Sequence, residues 1–176
     1  IQRGYKPYYS SNDIYFLEMS SMWFEDVIVP NGNDYLDGWA DPLLNNPTVE
    51  FDDTGPGYEL ALFGHYLSSF IDPDGTLDAK NSTIMRQIWE NYSSNSTYPL
   101  ALSSIKNVLN GVEYSSFIEC WVDFITRNLY NGKYNENDTI FYYYRDQALI
   151  DQIQTYPQSL LDSISIAFNL SNKSVA

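Results

Sequence analysis

The stretch Ser11-Asn-Asp-Ile-Tyr-Phe-Leu-Glu-Met-Ser-Ser-Met-Trp-Phe-Glu-Asp-Val-Ile-Val-Pro-Asn-Gly32 decides how the rest of the chain is read. Ser11, Asn12 and Asp13 are residue types whose side-chain oxygens cap helix N-termini, and Pro30-Asn31-Gly32 is a helix stop. Between them Ile14, Leu17, Met22, Trp23 and Val27 recur at helical spacing, which predicts a helix over roughly 13–28. Glu18, Ser21, Met22 and Glu25 stand at i, i+3, i+4 and i+7, so two carboxylates share one helical face with apolar neighbours. A carboxylate turned into a domain interior is costly unless a metal, a cation or several donors compensate it.

Outward from this helix the pattern stays helical. A short turn is expected around Asp34 to Trp39, then a Pro-, Asn- and Gly-rich loop over 41–56. Tyr58, Leu60, Leu62, Phe63, Tyr66, Leu67 and Phe70 predict a strongly apolar central helix, opened by Gly55-Pro56-Gly57 and closed by Asp72-Pro73-Asp74-Gly75. Further helices are expected around Ile84 to Trp89, Leu100 to Leu109, Glu113 to Leu129 and Arg145 to Gln152. Ser163 to Leu170 alternates polar and apolar residues like a strand. The fold class read from the sequence is therefore mainly α, a helical bundle-like domain over 1–155. Residues 156–176 are expected to be a linker or the start of a β module.

Composition bounds the function. The chain has 176 residues, enough for one core, and carries 23 acidic against 9 basic residues, a net charge of -14. Such a surface repels phosphate backbones, which argues against nucleic acid as a partner. The single cysteine, Cys120, excludes an internal disulfide and reads as a buried helix residue. No apolar run of membrane-spanning length occurs, so no membrane partner is expected. Sequons stand at Asn81, Asn91, Asn95, Asn137, Asn169 and Asn172, and Ile1-Gln-Arg-Gly-Tyr5 reads as the continuation of a preceding segment.

Four runs carry a resemblance: Phe16-Leu-Glu-Met-Ser-Ser-Met-Trp-Phe-Glu-Asp26, Pro30-Asn-Gly-Asn-Asp-Tyr-Leu36, Tyr58-Glu-Leu-Ala-Leu-Phe-Gly-His-Tyr-Leu67 and Met85-Arg-Gln-Ile-Trp-Glu90. In order and spacing, over residues 1–133, the chain resembles the helical half of bacterial secreted gluzincin-type metallopeptidases, the thermolysin-like class of zincins. In that family a His-Glu-x-x-His helix comes about 20 residues before a glutamate-bearing helix. The resemblance implies a secreted zinc peptidase acting on peptide or protein substrates. An upstream His-Glu-x-x-His segment, ahead of Ile1, would supply two zinc ligands and the general base; without it this chain is expected to be inactive.

Carried over by position, the resemblance makes Glu18 the carboxylate ligand of zinc and Ser21 and Glu25 the groups that orient a ligating imidazole. It makes Tyr58 a candidate for stabilising the oxyanion, with His65 as a second candidate donor. At Met22 the chain departs from thermolysin-like relatives, which carry an acid there. The alternative function is a non-catalytic helical binding or scaffold module derived from a peptidase fold.

Other features read more simply. His65, on an apolar helix, has the plainer reading of a packing residue. Asp72-x-Asp74-Gly75-x-x-Asp78 has acidic oxygens at calcium-loop spacing but lacks the terminal glutamate, which favours an ordinary acidic turn. Of the 16 tyrosines most fall at core spacings, whereas Tyr8, Tyr9, Tyr142, Tyr143 and Tyr144 do not and are expected to line a groove or an interface.

Overall fold

Helix α1, Ile14–Ile28, follows a 3-10 turn at Ser11–Asp13 that the Ser10 hydroxyl caps by accepting from the Asn12 N–H at 3.2 Å. The computed structural model of the chain describes residues 9–36, 43–44, 50–51, 57–94, 100–112, 116–130 and 141–153. Among these it is mainly helical and contains no strand. The remaining helices are α2 (Ala61–Tyr66), α3 (Ile84–Ser94), α4 (Ala101–Leu109), α5 (Phe117–Tyr130) and α6 (Gln147–Ile153). Short 3-10 turns occur at Asp34–Leu36 and Tyr58–Leu60, and α2 runs directly into a π-helical turn, Leu67–Ile71. The strand expected over 163–170 lies outside the described residues, as do 37–39 of the turn expected near Asp34.

The central helical path over 58–71 is the interior of the fold, as its apolar run demands: every residue from Glu59 to Ser68 is buried. α1 lies along it, and the contact is close because Gly64 has no side chain. A Cβ on Gly64 would sit 3.1 Å from Trp23 Cβ, so the indole packs against bare backbone. Its Nε1 then donates to Ser68 Oγ at 2.9 Å. The path is opened by Gly57, at φ 84, where a Cβ would come within 2.4 Å of the Tyr15 carbonyl oxygen. Only glycine meets both demands.

Around this axis the core is largely aromatic. Phe51, Phe63, Phe117, Trp121 and Phe124 meet mostly edge to face, with Phe63 5.3 Å from Trp121 and 5.2 Å from Phe124 between ring centroids. Each such contact adds about 0.5–1.5 kcal/mol to the stabilisation from burial. Phe16, Trp89 and Tyr92 join α1 to α3 in the same way.

Carboxylates fasten the helix ends over long range, and here the sequence expectation needs correction. Asp13 does not cap its own helix: it is buried, and its carboxylate accepts from Tyr92 Oη at 2.9 Å and from the Ala101 N–H at 2.8 Å, closing the start of α4. Asp72 likewise serves α3 from across a loop, Oδ2 accepting from the Thr83 and Ile84 N–H groups at 2.7 and 2.8 Å and from Ser82 Oγ at 2.8 Å. Burial alone would raise the Asp72 pKa, but these donors and the Asp74 N–H hold it below the usual carboxylate value. Asp78 accepts from Thr76 Oγ1 and the Lys80 N–H. The acidic stretch over 72–78 thus uses its oxygens as turn and cap acceptors. Helix α5 starts with a capping box, the Ser116 N–H donating to Glu119 Oε2 and the Glu119 N–H to Ser116 Oγ.

The largest departure concerns Tyr143 and Tyr144. Expected at a groove or interface, both are fully buried: the Tyr143 hydroxyl donates to Asn128 Oδ1 at 3.0 Å, and the Tyr144 ring lies inside the fold. Tyr9 is exposed, Tyr142 is half-buried, and Tyr8 lies outside the described residues. The segment before α6 carries no helical periodicity because it enters the core as irregular chain, inserting consecutive rings.

Candidate functional site

Two groups of chemistry-bearing side chains lie on different faces of α1. The first is its outward face. Taken at 100° per residue, Ile14, Leu17, Glu18, Ser21, Glu25 and Ile28 form one sector, opposite the core-facing stripe of the buried Phe16 and Met19 and the half-buried Trp23. Glu18 and Ser21 are half-buried and Glu25 is exposed. The Glu18 carboxylate has no hydrogen bond or ion pair to any described residue. The sector is unusually apolar for a surface: Ile14 is 38% exposed and Ile28 60%.

Tyr58 opens the turn before α2. It is half-buried and follows Gly57, whose backbone presses on the buried Tyr15 in the first turn of α1. Met22 is half-buried and packs on the core.

His65 is not with them. It projects from α2 into the second group, at the C-terminal end of α1, between the rings of Tyr144 at 4.9 Å and Tyr35 at 5.3 Å. Its Nε2 lies 3.3 Å from Asp26 Oδ2 but without hydrogen-bond geometry. Complete burial, with the nearby Arg145 charge, pushes its pKa down to about 3, so the imidazole is neutral and the contact is no ion pair. Asp26, only 2% exposed, is instead paired with Arg145, whose Nη2 donates to Oδ2 and, at 2.8 Å, to the Asp26 backbone carbonyl. Burial raises the Asp26 pKa to about 6 against the opposing pull of Arg145, and Asp146 adds to the rise. The Tyr35 hydroxyl donates to Tyr144 Oη at 3.2 Å.

Asp26 and Arg145 were not among the residues singled out from the sequence. A signal existed: Asp26 falls seven residues after Met19, on the apolar stripe of α1, where a carboxylate demands a partner.

Glu18 offers a single carboxylate, and among the described residues no group of three or more His, Cys, Asp and Glu is arranged to hold a metal. Any remaining ligands would have to come from elsewhere. No described helix is long and apolar enough to cross a membrane. Comparisons with protein-family models, with curated proteins and with solved structures find no match to this chain.

Proposed function

We propose that the chain is the C-terminal lobe of a secreted zinc-dependent metallopeptidase, in which Glu18 supplies the carboxylate ligand. The observation that carries this reading is the outward face of α1. A half-buried carboxylate with no partner among the described residues sits in a sector that also exposes Ile14 and Ile28. A helix that ended at solvent would carry polar residues there. The sector suits a second helix packing on it, and an upstream His-Glu-x-x-His helix is the segment the resemblance supplies.

In this reading Glu18 would hold the metal from a helix that the close packing of Trp23 on Gly64 fastens to the core. Ser21, one turn on, and Glu25, two turns on, orient a ligating imidazole through its distal N–H. The Tyr58 hydroxyl faces the carbonyl oxygen of a bound peptide and donates to it as negative charge develops. Zinc, when bound, supplies Lewis-acid activation of water at neutral pH. His65 has no part in substrate binding here; its neutral ring is core.

A non-catalytic module is the second reading, favoured by the exposure of Glu25. Peptide hydrolysis by the natural full-length chain separates the two. The peptidase reading expects activity that a chelator abolishes, that zinc restores, and that Tyr58→Phe lowers about a hundredfold or more in kcat. Absence of hydrolysis in zinc-loaded full-length protein would leave the binding module.

A further inference from the structure

We draw no further inference here: the strongest candidate, the surface patch that the exposed Ile118 and Val122 form one turn apart on α5, carries nothing because nothing in the structure shows what covers it.

Discussion

Arg145 and Asp26, 119 residues apart, are joined twice, Nη2 of the arginine donating to the carboxylate and, at 2.8 Å, to the backbone carbonyl of the same residue. The carbonyl needs that donor for a simple reason. Four residues on, where a helix would supply an N–H, stands Pro30, which has none. The arginine therefore neutralises a buried charge and closes an orphaned helix end, and so ties the segment before α6 to the end of α1. Arg145→Met should destabilise the fold by about 3 kcal/mol in urea unfolding, the lower part of the range for a broken buried pair because the guanidinium is 19% exposed. Arg145→Met with Asp26→Asn should recover part of the loss. A single variant within about 0.5 kcal/mol of wild type, the scatter expected of an ordinary surface change, would contradict the tether.

His65 and Asp26 make opposite contributions to pH dependence. His65, with its pKa pushed down to about 3, binds fewer protons folded than unfolded between that value and 6.5, so its share of stability falls on acidification through that window. Asp26, raised from 3.8 to about 6, binds more protons folded than unfolded, so its share rises on acidification between those values. His65→Phe keeps the ring between Tyr35 and Tyr144 and deletes the first contribution. Its thermal midpoint should fall less than that of wild type from pH 7 to pH 4.5. A parallel fall would show that His65 is protonated in the folded state.

Gly57→Ala would force φ 84 on a residue with a Cβ and drive that Cβ into the Tyr15 backbone. The backbone conformation alone costs about 1–3 kcal/mol, and the overlap adds to it. The expected outcome is loss of soluble folded protein or a greatly lowered denaturant midpoint. A midpoint close to wild type would mean that 57–60 packs differently against α1.

Asp13→Ala leaves the Ala101 N–H and the Tyr92 hydroxyl without their acceptor in a buried site, and should cost about 1–3 kcal/mol. Asp13→Asn, which keeps one acceptor oxygen, should cost less. Equal costs for the two would show that the negative charge, rather than the acceptor, is what matters.

The helices were legible in the sequence wherever an apolar stripe met a clear stop. α1 ends before Pro30-Asn31-Gly32 as read, and the central run behaves as its composition requires. What escaped was long-range chemistry. Asp13 looks like a local cap and Asp72 like part of an acidic turn because nothing in a linear pattern tells which helix end a carboxylate will reach. Tyr143 and Tyr144 were misjudged because periodicity tests assume a helix or a strand, and an irregular segment can insert adjacent rings with neither. Glu18, Ser21 and Glu25 do lie in one sector of α1, as their spacing required, with Glu18 half-buried and Glu25 exposed.

Zinc content of the natural full-length chain tests the central claim most directly. After purification and exhaustive dialysis, wild type should retain about one zinc per chain, the stoichiometry of a single catalytic site. Glu18→Ala, which breaks no hydrogen bond or ion pair to a described residue, should retain almost none while its thermal midpoint in EDTA stays close to that of zinc-free wild type. Full zinc occupancy in Glu18→Ala, or none in wild type, would contradict the assignment.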